Sequence, residues 1–486
     1  MLLQFIKKIT KKNSYFWDLI FYFVLIFLFF RFWKNQLAIN YIDYGEGSYL
    51  YESLLINKNL LIYRDFFAPQ PPIIYFIGSF LLKLSINPLI IKYFLFILFV
   101  SSNILLFYLL NIFFKDKKFS FFVIIVSTFF TNTIYWWPTF TGETFLRFFI
   151  ILFLFYFLPI EKNNKKKLFI GAFFLNLILF TKFTSIFFII FTFLFLLIID
   201  KKLFFNFIKY FFILFTIFLV VLLSIFENNF LYQTIFIRNI LPFKNYLSYI
   251  PSTTIFLIKY IPFFLLNLIF GIVFFRKKLY SKSFLFFIYC FWFPSVIFNF
   301  FEGTYLYIFY PVEVFLSLGF GFIVFNYKKI KFKILSIIVT FSSFWSLLVV
   351  IYQIQVLDNN YFLASNHFDK KTTQNVIEII KNKTKENEFI IAPPFFAFFS
   401  NRYLFNNFHD PFIFYYYLLS KNKYPIFEES LNLIKKNKPK LIISDWRIKK
   451  SLILIDKNYF LDYKKIGSFY FLNNQYEYLD VYVKNN

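Results

Sequence analysis

Sulfur and histidine are nearly missing from this chain: 486 residues contain one cysteine, one methionine and two histidines. A lone Cys290 excludes an intramolecular disulfide and leaves the redox compartment open. His367 and His409 lie far along the chain from the acidic membrane loops, which gives no basis for a His-rich metal site. No Gly-rich phosphate loop is present, so nothing points to a nucleotide. Acids are also scarce, 25 against 52 lysines and arginines, for a net charge of +27.

That positive balance does not indicate nucleic acid, because the lysines sit in short clusters between apolar runs. They occur at Lys7, Lys8, Lys11 and Lys12; Lys115, Lys117 and Lys118; Lys165 to Lys167; Lys201 and Lys202; Arg276 to Lys278; and Lys328 to Lys333. This is the positive-inside pattern that sets membrane topology. Hydrophobic residues make up 59% of the chain, and Phe alone occurs 88 times. Phe is spread everywhere, as a compositional bias would spread it, so aromatic belts carry no information here.

The apolar runs predict a polytopic α-helical membrane protein with about eleven spans. The N-terminus is expected in the cytoplasm and the first span, about residues 14–33, is read as retained, since no small-residue cleavage site follows it. An outer loop follows over 34–72, then a short apolar segment at 73–84 that suits a helix in the interface or re-entering it. Further spans are expected near 89–114, 119–134 and 144–159, two short ones within 168–199 turning near Lys182, then 203–226, 253–275, 283–301, 307–325 and 334–353. Residues 1–354 thus form a transmembrane domain. Residues 355–486 change character and predict an extracytoplasmic α/β domain, with helices near 371–383 and 426–437 and strands at 388–392, 441–444 and 478–483.

Polar residues concentrate on the expected outer side. The first loop holds Asp43 and Glu46, three apart among Gly45 and Gly47, then Tyr63, Arg64 and Asp65, then Pro69 to Pro72. Glu143 opens a span with Arg147 one turn later, a spacing that suits an ion pair. Lys182 stands between two apolar runs, where it either snorkels to the interface or meets an anion. Glu302, Arg238 and Lys244 also fall in outer loops, and Trp136 and Trp137 share a short outer loop with Glu143. Arg402, Asp410, Asp445 and Arg447 in the C-terminal domain read as surface or packing residues. Solvated loops and structural ion pairs would explain each residue singly. Their shared side instead suggests an outward-facing site, with carboxylates to accept a proton and cations to hold an anion.

In this order the motifs resemble those of the GT-C superfamily of membrane glycosyltransferases, close to the protein O-mannosyltransferase and lipid A aminoarabinose transferase branch (glycosyltransferase family 39-like). The resemblance is carried by Asp43 to Tyr49, by Tyr63-Arg64-Asp65, by Pro71-Pro72-Ile73-Ile74-Tyr75, by Gly142-Glu143 and by Thr181-Lys182. The family's adjacent acidic pair is split here into Asp43 and Glu46, and an arginine usual at the start of the second span is Lys92. The resemblance implies transfer of a sugar from a polyprenyl-phosphate donor to an acceptor hydroxyl of unknown kind. Glu46 or Asp43 would be the catalytic base, with Arg64, Asp65, Glu143, Arg147 and Lys182 binding substrate; a divalent metal could assist, and none is assigned ligands. The implied setting is the cell membrane. A lipid-linked sugar flippase or transporter, a polysaccharide polymerase or ligase, and a mere anchor for the C-terminal domain are the competing readings.

Overall fold

A computed structural model of the chain describes residues 23, 44–85, 88–128, 130, 137–160, 164–236, 246–295, 310–326, 348, 370–386, 388–405, 411–419, 425–471 and 474–485. Asp43, Trp136, Arg238, Lys244, Glu302, His367, His409 and Asp410 lie outside them, as do nearly all of the expected first and last spans.

The N-terminal part is a bundle whose helices follow the apolar runs: Pro88–Phe114, Lys117–Thr128, Gly142–Phe157, Lys165–Thr181, Ile186–Ile199, Lys201–Phe226, Tyr246–Arg276, Tyr280–Trp292 and Ser317–Asn326. Several start where a short polar side chain satisfies the open amides of the first turn. Asp200 accepts from Lys202 and Leu203, Asn164 from Lys166, and Asp116 from Lys118 and Phe119. The two segments between lysine clusters are separated at Lys182, which is extended at φ −160° and ψ 126°, followed by a single 3-10 turn. Ile90–Phe114 and Lys201–Phe226 are each long and apolar enough to cross a membrane. Packing between helices is mostly ring against ring, as a phenylalanine-rich composition dictates. The Phe157 and Phe207 rings lie 5.1 Å apart across two helices, and Phe274 and Phe286 stack at 5.4 Å.

Before the bundle come two shorter helices, Tyr44–Asn57 and Ile73–Leu84. They lie in close contact because Gly78 presents no side chain to Ser53. Asn57 and Ser79 also bond twice across the pair, at 3.0 and 2.5 Å.

The C-terminal part is a mixed sheet flanked by helices. β1 (Phe389–Ile390) runs parallel to β2 (Tyr403–Leu404), and a bridge from Ile391 to Ile442 joins it to β3 (Leu441–Ser444). β5 (Asn474–Lys484) lies antiparallel between β3 and β4 (Tyr463–Phe471). Alternation sorts the side chains. Leu441, Ile443, Leu479 and Val481 share a cluster with Leu50 and Leu54 of the Tyr44–Asn57 helix. Ile442 and Tyr482 point into another cluster with the helices Pro411–Leu419, Pro425–Lys436 and Trp446–Ile455. The helices Lys370–Lys383 and Pro425–Lys436 and the strand Leu441–Ser444 fall where sequence pattern put them; the Pro394–Ser400 and Trp446–Ile455 helices and β4 do not follow from it.

Candidate functional site

Glu46 sits in the first turn of the Tyr44–Asn57 helix and is 1% exposed. Both of its oxygens are engaged by the Lys92 ammonium, at 2.7 and 2.8 Å. Lys92 comes from the first turns of the Pro88–Phe114 helix and also donates to the Pro138 carbonyl at 2.7 Å. The Phe140 amide donates to Glu46 Oε1 at 2.9 Å. The segment Trp137–Thr141 is therefore tied to Glu46 through Lys92 and through its own backbone.

That segment leads directly into the helix Gly142–Phe157, whose second residue is Glu143. Its carboxylate, also 1% exposed, takes Lys182 as its partner through Oε1. The extended backbone at Lys182 aims this cation back at the helix start, where the lysine stem and Thr181 O lie at ordinary contact distance, 3.6 Å, from the Cβ position of Gly142. Glu143 Oε2 is buried and finds no partner among the described residues. A buried acceptor of this kind is costly unless something supplies a donor.

The spacing of Glu143 and Arg147 predicts an ion pair, and the structure corrects this. Arg147 donates to Asn103 Oδ1 at 2.9 Å, with its guanidinium 5.3 Å from the Phe99 ring and 5.2 Å from the Tyr310 ring. The partner of Glu143 instead comes from 39 residues later in the chain. Beyond Tyr310, one turn along, Glu313 is fully buried and accepts from the Tyr260 hydroxyl at 3.2 Å. Sequence reasoning passed over Glu313 and Asn103. A single acid inside an apolar run at 307–325 was the available signal, since burying one there is expensive.

Arg64 and Asp65 are placed differently. They bond to each other at 2.8 and 3.0 Å on a turn, Arg64 being 62% exposed, and Asp65 also accepts from the Leu61 amide. The hydrogen bond from Arg64 holds the Asp65 carboxyl below the usual range. No described contact joins them to the two lysine–carboxylate pairs. The turn itself is pinned at Tyr63, which has a left-handed φ of 66°. Gln233 Nε2 donates to Tyr63 O at 2.6 Å, its Oε1 accepts from the Ala68 amide at 3.0 Å, and the Tyr63 hydroxyl donates to Gln70 O at 2.5 Å.

In the C-terminal part, Arg402 and Asp445 have structural tasks. Buried Arg402 donates to Thr384 and Ser400, and Asp445 caps the Trp446–Ile455 helix by accepting from Ile448 at 2.8 Å. Arg447 reaches Asp445 at 3.6 Å. For a divalent metal, no three His, Cys, Asp or Glu side chains converge among the described residues, and Glu46 and Glu143 each face an ammonium. Among the described residues that donor set does not fit a divalent ion.

No protein-family model and no curated protein matches the sequence. Among solved structures, ArnT from Cupriavidus metallidurans, determined bound to undecaprenyl phosphate, superposes with a TM-score of 0.58 at 9% identity. The likeness covers 97% of this chain and 98% of that one. It therefore takes in the bundle, the short helices before it and the C-terminal sheet together. The chain therefore has the fold of that ArnT structure over nearly its whole length, and among the described residues two of its helices are long and apolar enough to cross a membrane.

Proposed function

We propose that this chain transfers a sugar from a polyprenyl-phosphate carrier to an acceptor hydroxyl at the outer membrane face. In this reading the N-terminus is cytoplasmic and the C-terminal α/β region is extracytoplasmic. One observation carries it: two buried carboxylate–lysine pairs, Glu46–Lys92 and Glu143–Lys182, meet at the segment Trp137–Glu143. They do so in a fold shared with a protein solved with a polyprenyl phosphate bound.

The chemistry follows from what transfer requires. The acceptor oxygen bonds to the anomeric carbon, the bond from that carbon to the phosphate oxygen breaks, and its electron pair leaves with the phosphate. The carrier goes from a singly charged diester to a monoester, so negative charge grows on the leaving group and cations stabilise it. The hydroxyl proton passes to a carboxylate. Glu143 has an oxygen open to receive it, whereas both oxygens of Glu46 are held by Lys92. Glu143 is thus the proton acceptor in the arrangement described, and Glu46 takes that role only where Lys92 moves from it to the phosphate. Lys182 and Lys92 are the cations nearest the two acids; Arg147, buried behind Glu143, and Arg64 with Asp65, on the exposed turn, are proposed to contact the carrier or its sugar.

The test is transfer from radiolabelled polyprenyl-phosphate sugars by purified protein in lipid. Wild type is compared with Asp43→Asn, Glu46→Gln, Glu143→Gln, Lys92→Ala and Lys182→Ala. Loss of turnover in Glu143→Gln with donor still bound supports this assignment. Loss confined to Asp43→Asn or Glu46→Gln moves the base to the first loop. Full turnover in all three carboxylate variants removes the mechanism.

A further inference from the structure

The helix carrying Glu46 is gripped from its other flank by the C-terminal region. Gly47 has no free space: a Cβ there would stand 2.5 Å from Phe395 Cβ and 3.0 Å from the Phe395 backbone nitrogen. One turn later the buried Tyr51 hydroxyl accepts from the Leu404 amide at 2.6 Å. Just past the helix end, the Lys58 ammonium lies 4.0 Å over the Tyr403 ring. Positions 47, 51 and 58 follow helical spacing and form one stripe. Their partners all come from the single stretch Phe395–Leu404, a short helix ending at left-handed Asn401 (φ 53°) and running into β2. Through β1 and the Ile391–Ile442 bridge, that stretch belongs to the sheet. The Glu46 side chain is turned to Lys92 and Phe140 of the bundle instead. The helix is a spacer between two bodies.

We infer that the C-terminal α/β region is a working part of the site, with Tyr51, Gly47 and Phe395 acting as positioning residues for Glu46. This rests on placing the Glu46–Lys92 pair in the transfer site. The apolar cluster shared by Leu50, Leu54, Phe396, Leu441 and Val481 holds the two parts together without direction. The Gly47–Phe395 contact and the Tyr51–Leu404 bond are the directional elements that fix where along its axis the helix stops. Hydrogen bonds of 2.7–2.9 Å at Glu46 leave little slack. A misplacement of about 1 Å at a reacting group can cost on the order of 100-fold in rate.

The experiment reads the amide hydrogen exchange of Phe140, whose N–H donates to Glu46, in the full chain in lipid. Tyr51→Phe removes one oxygen and leaves the Leu404 amide without its acceptor; Gly47→Ala drives Phe395 away. Exchange across the Lys201–Phe226 helix checks that the bundle stays folded. Faster exchange at Phe140, by tenfold or more in both variants with that helix unchanged, is the expected result. Where transfer is measured, kcat falls by at least tenfold while KM for the polyprenyl-phosphate sugar holds, and Phe395→Leu retains more rate than Phe395→Ala. Unchanged exchange at Phe140 alongside newly rapid exchange at Leu404 overturns the inference. Full transfer by Glu46→Gln, with the exchange result standing, ends the catalytic half and shows that the placement of Glu46 in the transfer site is what failed.

Discussion

Lys92 places its ammonium against both oxygens of Glu46, and the two residues, 46 positions apart in sequence, come from different helices. Removing one member leaves the other charge buried and unmatched, at a cost of about 3–5 kcal/mol. Removing both leaves no orphan charge.

Lys92→Met is therefore expected to lower the thermal unfolding temperature more than Glu46→Gln combined with Lys92→Met. Unfolding of the purified chain in one detergent compares the two. A double variant less stable than either single would show that the pair contributes net stability.

Glu143 and Lys182 form the other buried pair, and Glu143 keeps an open oxygen. Glu143→Gln should reduce turnover by roughly 100- to 10,000-fold, the range for losing a general base. Donor binding should persist in that variant, whereas Lys182→Ala should weaken it. Equilibrium binding of a radiolabelled polyprenyl-phosphate sugar separates these effects. Equal losses of binding in both would place Glu143 in the donor site instead.

Gln233 satisfies one carbonyl and one amide of the Tyr63 turn from 170 and 165 residues away. Gln233→Leu leaves both groups buried without partners, at about 1–3 kcal/mol each. Limited proteolysis should then cut near residues 60–70 at low protease, where wild type resists. Equal resistance would mean that the turn's own bonds, Tyr63 to Gln70 and to Phe66 and Leu61 to Asp65, hold it without Gln233.

Asp480 is fully buried and accepts from Lys449 at 3.0 Å and from Ser468 at 2.8 Å, with Lys465 at 2.6 Å. Burial pushes its carboxyl up, but the bonds from Lys465, Lys449, Ser468 and Tyr482 outweigh it and leave the carboxyl below its ordinary value. A lowered folded-state value means stability fully present above the unfolded value, near pH 3.9, and lost as pH falls through the folded one. Asp480→Asn should thus loosen β5 at neutral pH, and the gap to wild type should close as pH falls below the unfolded value and through the lowered folded one. Amide exchange across Asn474–Lys484, followed against pH, reads this directly. A gap that persists in acid would assign the loss to packing.

Much of the bundle was legible because lysine clusters punctuate the apolar runs, and the break at Lys182 follows from a cation between two such runs. Glu46 stands out in sequence within the polar first loop, and Glu143 and Lys182 as charges at the ends of apolar runs; the structure gives all three charged partners. What the pattern hid is tertiary. Glu143 shares a face with Arg147 yet takes its partner from the extended break at Lys182, and Lys92 shows its purpose only against Glu46. The Pro394–Ser400 helix was hidden for a compositional reason: four of its seven residues are Phe, in a chain where Phe distinguishes no face.

The wedged position of the Tyr44–Asn57 helix also sets a clock on biosynthesis. Its partners Phe395, Leu404, Leu441 and Val481 leave the ribosome some 350 to 440 residues after it does. At about 5–20 residues per second, the interval is on the order of tens of seconds. The bundle can insert and pack in that time, but Glu46 is not locked in register until the sheet has docked. If the C-terminal region positions Glu46 as inferred above, a half-made chain lacks that constraint, and ribosome-stalled chains ending before residue 390 should show a freely exchanging Phe140 amide.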